Sequence, residues 1–312
     1  MGAAAVTVCI CSHNRPGDVR LCLEGLGAQT VPQERFEVVV IDSASAPDAA
    51  AALRQGVAGF ARARLLRLEQ PGLSLARNLG AAEARAPYIA YLDDDAVPAP
   101  DWVEQVLATL AAFASPPALL GGRVLPRWEA PLPPWWPAAL RGVLSIVETE
   151  GQGEYRGAGL PRRLEPCGAN LIVHVATLRA AGGFCAAIGR RGAALLSDEE
   201  VHLAWRLQDA GHSARFDSRL VVHHRIPATR LTPAWLLARL YWQGISAVRT
   251  RRLLGRSGLV WRELPRRLAV AALLAPTALL PRASPRLLAC RWRLAYARGF
   301  LRAALSPRGL AG

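Results

Sequence analysis

The sequence predicts an α/β fold with an open, mostly parallel sheet and helices on both of its faces. Strand-like and helix-like segments alternate four times in the first 93 residues, which is the order that parallel sheets require. The strand-like segments are short and continuously apolar, as expected of strands that are covered on both faces. They span residues 5–11, 36–42, 64–69 and 88–93, and helical patterns fill residues 17–28, 47–60 and 74–86.

Charge separates the last quarter of the chain from the rest. Residues 1–224 carry 21 arginines and 23 acids, whereas residues 225–312 carry 17 arginines and a single acid, Glu263. We therefore predict two domains, with the sheet in residues 1–230 and a basic, amphipathic helical region in residues 231–312. Because the basicity is confined to one end, the net charge of +14 does not indicate a nucleic-acid partner, and none is expected.

The composition of the C-terminal region is typical of helices that lie on an anionic membrane surface. It combines arginines with apolar residues and with tryptophans and tyrosines, which favour the membrane interface. An ordinary helical subdomain with an arginine-coated exterior is the alternative. No run of apolar residues is long enough to predict a transmembrane helix, and the N-terminus shows no signal peptide.

Polar clusters follow three of the predicted strands at the point where each strand ends. They read SHN after the first strand, DSAS after the second and DDD after the fourth. Because the carboxyl ends of parallel strands meet at one edge of a sheet, we expect these clusters to converge on one crevice, the usual place for a nucleotide in such sheets.

The stretch YLDDDAVP places three carboxylates side by side at residues 93–95. Such carboxylates repel one another unless positive charge lies among them. Mg²⁺ or Mn²⁺ prefers oxygen ligands and keeps positions open for phosphate, so a divalent cation is one solution. Alternation along an extended chain puts Asp93 and Asp95 on one side and Asp94 on the other. A solvated acidic turn is the alternative.

At this point the sequence resembles the family 2 glycosyltransferases of the GT-A fold, over about residues 5–230. VTVCICSHNR resembles the opening strand and base loop of that family, and VVVIDSAS resembles its second strand. PGLSLARNLGAAEARAPYIAYLDDD resembles the stretch that runs into the DxD metal motif. LSDEEVHLAWRLQDAG resembles the helix that carries the catalytic base, and VVHH resembles the histidine-bearing strand that follows it.

The resemblance implies a role for individual residues. The expected donor-binding residues are Cys11, His13, Asn14, Asp42, Ser43, Arg77, Asn78, Asp93 and Asp94. The expected metal ligands are Asp95, Asp93 and His223, and the expected catalytic acids are Glu200, as general base, with Glu199 and Asp198 beside it. Ser43 stands where an aspartate is common when uracil is recognised, and Glu200 stands where aspartate is commoner.

The implied reaction is inverting transfer of a sugar from a nucleotide-sugar donor to a hydroxyl acceptor, for which a lipid-linked molecule is one alternative. Cell-envelope polysaccharide, glycolipid or related glycoconjugate synthesis is the expected context, with the protein cytoplasmic and peripheral on the inner face of the cytoplasmic membrane. Two alternatives stay open. One is a nucleotidyltransferase or other metal-dependent nucleotide-sugar enzyme, and the other is a membrane-associated, non-catalytic binding protein.

Overall fold

The computed structural model describes residues 4–157, 160–161, 164–190, 192, 194–280 and 285–306. The chain forms two compact units that interleave along the sequence. The sheet unit comprises Met1–Arg127, Ser145–Phe184 and Leu203–Arg225, and the helical unit comprises Trp128–Leu144, Cys185–His202 and Ile226–Gly312. The domain boundary predicted at residue 230 stays a prediction.

The first half of the sheet unit follows the predicted alternation closely. Strands β1 (Val6–Ser12), β2 (Phe36–Ser43), β3 (Ala63–Leu68) and β4 (Tyr88–Asp93) are parallel and lie in the order β3-β2-β1-β4. Helices α1 (Pro16–Gly27), α2 (Pro47–Ala58) and α3 (Leu73–Glu83) connect them. Proline at the first position of α1 and α2 fixes these starts, since its ring presets a helical φ and its missing N–H has no partner to lose there.

The second half of the sheet contains antiparallel pairs. It contains β5 (Ala96–Pro98), β6 (Leu119–Trp128), β7 (Gln152–Glu154), β8 (Leu171–His174) and β9 (Ala214–Ile226), with helices α4 (Trp102–Ala111), α5 (Val175–Ala180) and α6 (Glu199–Asp209) between them. The strand order continues β4-β8-β6-β9-β5, and β7 pairs with β9. The predicted α/β class with an open sheet is confirmed. Strands β1–β4 are parallel to one another, whereas β8 is antiparallel to β4 and β6, and β5 and β7 are antiparallel to β9.

Helices cover both faces of this sheet, as predicted. Val8 and Ile10 of β1 point into one buried cluster with α1, α2 and α4, whereas Cys9 points into the opposite cluster with α3, α5 and α6. Apart from the buried, hydrogen-bonded pair Thr7 and Glu37, the middle of β1 and β2 is apolar on both faces, which explains why these strands read as nearly continuous apolar runs. Helix α6 ends at Gly211, which has a φ of +85° and lets His212 bond back to Leu207.

Three helices make up most of the helical unit: α7 (Pro233–Leu253), α8 (Ser257–Leu274) and α9 (Pro285–Leu305). Thr232 caps α7 by accepting a hydrogen bond from the backbone N–H of Trp235 at 3.2 Å. Helices α7 and α9 pack with their backbones close together, because Gly244 and Gly299 have no Cβ in the contact. Within the described residues, no helix combines the length and the apolar character that crossing a membrane would demand.

Candidate functional site

The polar strand ends of the sheet unit lie side by side, as the sequence predicts. Strand β1 is hydrogen-bonded to both β2 and β4, and the register sets Ser12 beside Asp42 and Cys11 beside Asp93. Cys11 is half-buried, with its Sγ atom 3.9 Å from the Sγ atom of Cys9. The three polar clusters therefore share one edge of the sheet.

Protein side chains supply positive charge among the three aspartates. The Nη1 atom of Arg15 lies 3.2 Å from Asp94 Oδ1 and 3.1 Å from Asp95 Oδ2. Arg77 Nη2 lies 3.3 Å from Asp93 Oδ1. The repulsion inferred from the sequence is real, and two guanidinium groups offset part of it.

Asp94 and Asp95 are both buried. Asp94 accepts a 2.8 Å hydrogen bond from the hydroxyl of Ser12. Burial, together with the charge of Asp95, raises the pKa of Asp94 to about 7, against the opposing effects of Arg15 and Ser12.

His224 faces the aspartates in place of the predicted His223. The Nε2 atom of His224 lies 3.0 Å from Asp95 Oδ1, because β9 pairs with β5 in a register that sets His224 opposite Ala96, the residue after Asp95. His223 is half-buried on the other side of β9, where burial and the charge of Arg127 lower its pKa.

One ligand atom from each of Asp93, Asp95 and His224 lies within 4.8 Å of the other two. Two carboxylate oxygens and an imidazole nitrogen form a donor set that Mn²⁺ accepts well, and Mg²⁺ less readily. The residues present thus fit a divalent cation. Asp93 and Asp95 both contribute an oxygen to this group, although Asp94 and Asp95 lie in the turn between β4 and β5 and not on an extended strand, and Asp94 accepts from Ser12.

The loops that follow β1 and β2 are hydrogen-bonded to each other. Asn14 donates its backbone N–H to Ser45 Oγ at 2.8 Å and accepts from the N–H of Ala46 at 2.7 Å. His13 Nδ1 lies 2.7 Å from the carbonyl oxygen of Ser43. Asn14 adopts a left-handed φ of +59°, so these bonds hold a conformation that asparagine tolerates better than most residues.

The loop after β2 is held by Asp42 and Ser43. Asp42 is buried and accepts from the N–H of Ser45 at 2.9 Å and from Arg67 Nη1 at 2.6 Å. Burial would raise the pKa of Asp42, but the hydrogen bonds from Ser45 and Arg67 outweigh it and lower the pKa. The Ser43 hydroxyl accepts from the N–H of Gly72 at 3.0 Å, so both side chains shape the loop.

Arg77 and Asn78, neighbours on α3, have different surroundings. Arg77 is buried, and its guanidinium lies over the rings of Tyr91 and Phe184 while it contacts Asp93. Asn78 uses both ends of its amide on the backbone of Phe184, at 2.9 and 2.8 Å. Arg77 therefore belongs to the acidic group, whereas Asn78 fixes a loop.

The predicted catalytic acids lie in the helical unit, at the start of α6. Asp198 precedes the helix with a left-handed φ of +77°. Its Oδ1 atom accepts hydrogen bonds from the hydroxyl of Ser197 at 2.9 Å and from Gln243 Nε2 at 2.8 Å. Burial raises the pKa of Asp198, and the nearby charge of Glu200 adds to the same effect.

Helix α7 presents a polar stripe to this acidic turn. The stripe consists of Arg239, Gln243 and Ser246, at helical spacing, and Ser246 accepts from the N–H of Ser197 at 3.1 Å. Arg239 is buried, and this burial, with the charge of Arg190, lowers its pKa to about 10. The acids at residues 198–200 oppose that shift, so Arg239 serves as their counter-charge. Glu199 is buried and Glu200 half-buried in the first turn of α6.

Sequence reasoning missed Arg15, Arg67, His224 and Gln243. Arg15 follows SHN directly, so the search for a positive charge among the aspartates could have found it. His223 and His224 are adjacent on β9, so their side chains point to opposite faces, and the sequence alone does not show which of them faces the aspartates. Gln243 lies far along the chain from the acids it contacts, and its sequence context carries no signal.

This chain is similar to known glycosyltransferases. Residues 7–116 match the model of glycosyl transferase family 2. The glucosyl-dolichyl phosphate glucuronosyltransferase of Haloferax volcanii is 28% identical over 180 residues, which are 57% of this chain and 55% of that protein. The succinoglycan biosynthesis protein ExoM of Rhizobium meliloti is 26% identical over 253 residues, which are 77% of this chain and 72% of that protein. This chain thus spans about half the length of the first of these relatives.

A solved structure supports the fold. The mannosyltransferase PcManGT from Pyrobaculum calidifontis, in complex with GDP-Man and Mn²⁺, superposes with a TM-score of 0.58 at 18% identity, covering 99% of this chain and 77% of that one. The class of fold is thereby GT-A. The match of residues 7–116 to glycosyl transferase family 2 agrees with the family that the sequence motifs resemble.

Proposed function

We propose that this protein is a glycosyltransferase that moves a sugar from a nucleotide-sugar donor to a hydroxyl acceptor with inversion, in the synthesis of a cell-envelope polysaccharide, glycolipid or related glycoconjugate. The observation that carries the proposal is the group of Asp93, Asp95 and His224 at the strand ends of a family 2 domain. The relatives, which include a glucuronosyltransferase and a protein of succinoglycan biosynthesis, support transfer as the activity.

The donor lies at the polar edge of the sheet unit in this proposal. His13 is exposed beside Ser43, so its ring is available to stack on the nucleotide base, with Cys11 and Asn14 nearby. Asp93, Asp95 and His224 hold Mg²⁺ or Mn²⁺, which when bound neutralises the charge of the leaving diphosphate. PcManGT, in complex with GDP-Man and Mn²⁺, supports this class of donor and metal.

Glu200 serves as the general base. Its carboxylate accepts the proton of the acceptor hydroxyl as the oxygen attacks the anomeric carbon, and a single displacement of this kind inverts the configuration. Asp198 and Glu199 are positioning residues beside it, since the turn that they form is fixed by Ser197 and by the polar stripe of α7. The counter-charge of Arg239 keeps the three acids compatible in one turn.

The acceptor and the place of action follow from the relatives and from the C-terminal charge. The name of the Haloferax volcanii relative includes a dolichyl phosphate, which favours a lipid-linked acceptor. A lipid-linked acceptor is reached at the membrane surface, so the proposed location is the inner face of the cytoplasmic membrane, with peripheral attachment.

The test pairs two variants with different expected defects. Thermal unfolding is followed with Mn²⁺ alone and with Mn²⁺ plus UDP, GDP, dTDP or CMP, since a ligand that binds the native state raises its stability. Asp95→Asn is expected to lose the Mn²⁺-dependent shift, whereas Glu200→Gln keeps that shift and loses transfer by about a hundredfold or more. Asp48→Asn and Asp209→Asn, on exposed helix positions, are the controls. An unchanged shift in Asp95→Asn rejects the metal site, and near-normal transfer by Glu200→Gln moves the base elsewhere.

A further inference from the structure

The exposed apolar side chains of this protein are concentrated in the helical unit. Apart from Leu21, all the large apolar side chains that are exposed in the described residues lie between residues 253 and 305. The most exposed are Leu279 at 89% and Leu273 at 78%, followed by Leu305, Trp261 and Leu280. Removing a leucine side chain from water is favourable, so such a concentration in the helical unit marks an interaction surface.

We define the apolar tip as residues 268–280, the second half of α8 with the 3₁₀ turn Ala275–Ala278 and the two leucines after it. This segment contains no charged residue. Its exposed leucines are not displaced core residues, because α8 packs on α7 and α9 through a different stripe that includes Val260 and Leu264.

Helix α9 anchors the apolar tip. The Nε atom of Arg291 donates to the carbonyl oxygen of Thr277 at 3.1 Å, and another nitrogen of the same guanidinium donates to the carbonyl of Leu280. The backbone around Leu279 and Leu280 is therefore held by α9, and the guanidinium of Arg291 lies at the contact between the tip and α9.

Arginines precede the apolar tip on the exposed surface of α8. Arg262 and Arg266 are exposed one turn apart, just before the tip begins. Glu263, the one acid in residues 226–312, contacts Arg251 and Arg267 instead. No other carboxylate side chain of this part of the sequence is available to neutralise the exposed arginines.

We propose that the apolar tip inserts into an anionic lipid bilayer and that Arg262 and Arg266 contact its phosphate headgroups. An apolar surface with adjacent arginines is the pattern of a segment that lies in the interface of a membrane. A second copy of this chain is the less favourable occupant, because it would bring its own arginines against these.

This inference does not depend on the catalytic proposal, and its test needs no sugar donor. The full chain is floated with vesicles of phosphatidylcholine alone or mixed with phosphatidylglycerol. The double variant Leu273→Ser with Leu279→Ser is expected to lower partitioning into the anionic vesicles at least about tenfold, since two exposed leucines no longer leave water. Arg262→Gln with Arg266→Gln is expected to cause a loss of about tenfold or more and to weaken the dependence on salt.

Leu21→Ser is the matched control, because it removes an exposed leucine from α1 in the sheet unit. It is expected to float like the unchanged chain, and all variants are expected to keep its unfolding temperature, since the positions are exposed. If the double leucine variant floats with anionic vesicles as well as the unchanged chain does, insertion is overturned, because binding then depends on charge alone. A different outcome assigns the surface to a second copy of this chain. In that case the unchanged chain does not bind vesicles, and light scattering shows that it is a dimer and that the double leucine variant is not.

Discussion

Replacing Gln243 by alanine is expected to slow sugar transfer while donor binding stays intact. Gln243 lies on α7 and donates to Asp198 Oδ1 at 2.8 Å, and it also accepts from the Ser197 hydroxyl at 3.2 Å. Both bonds hold the turn that leads into Glu200, the proposed base. Without them, Asp198 is free to leave the left-handed conformation at a φ of +77°.

The magnitude follows from the strain and the hydrogen bonds. A non-glycine residue held in this region costs about 1–3 kcal/mol, and a hydrogen bond to a charged acceptor contributes about 1.5–3 kcal/mol. The two quantities are comparable, so losing Gln243 allows the turn to relax. Displacing a catalytic group by about 1 Å can reduce a rate about a hundredfold, so we expect kcat to fall between about tenfold and a hundredfold.

The assay compares kcat and the KM for the donor in Gln243→Ala with those of Gln105→Ala. Gln105 makes a similar bond, to Asp101 at 3.2 Å, on α4 of the sheet unit, so its loss controls for removing a glutamine–aspartate contact. A reduced kcat with an unchanged donor KM supports the positioning role. If Gln243→Ala, like Gln105→Ala, loses a degree or more in unfolding temperature but keeps its kcat, the contact only stabilises the fold and the reasoning is refuted.

Two further predictions concern stability. Hydrogen bonds from Arg219 lower the pKa of Asp217 despite the opposing effect of its burial, so the stabilisation is present above the ordinary aspartate pKa and is lost as pH falls through the lowered pKa. Asp217→Asn is expected to cost about 1–3 kcal/mol in urea unfolding at pH 7 and progressively less near pH 3, whereas a cost independent of pH contradicts this reading. A Cβ at Gly299 would overlap the carbonyl oxygen of Tyr241, so Gly299→Ala is expected to cost about 3 kcal/mol in the same assay. Gly258→Ala, where a Cβ meets nothing within 4 Å, is expected to be neutral or stabilising, and equal effects of the two would refute the close helix contact.

The parallel half of the fold could be predicted because its strands are buried on both faces. Burial on both faces leaves a continuous apolar run such as FEVVVID, and proline marks the starts of α1 and α2. The second half of the sheet leaves a weaker trace. Strands β5 and β7 have three residues each, too few for a periodicity to show. Their pairing with β9 depends on contacts between residues more than 60 positions apart.

The same limit separates His223 from His224. Alternation along β9 shows that only one of them can face the aspartates, but the sequence does not fix which. The choice is made by the register with β5, which sets His224 opposite Ala96. The acids at residues 198–200 were expected from the resemblance of LSDEEVHLAWRLQDAG to the helix that carries the catalytic base, whereas the contact of Asp198 with Gln243 comes from tertiary packing and has no local signal.

The charge balance at the strand ends bears on how a metal and a nucleotide would bind together. Three carboxylates at residues 93–95 are set against two guanidinium groups, those of Arg15 and Arg77, so the group is only weakly negative when His224 is neutral. A weakly negative group holds a divalent cation poorly by itself, since Arg15 already occupies Asp95 Oδ2. A diphosphate adds the missing negative charge and oxygen ligands at the same edge. The proposed function therefore requires that nucleotide and Mn²⁺ together stabilise the protein by more than the sum of their separate effects, because each supplies the charge that the other lacks.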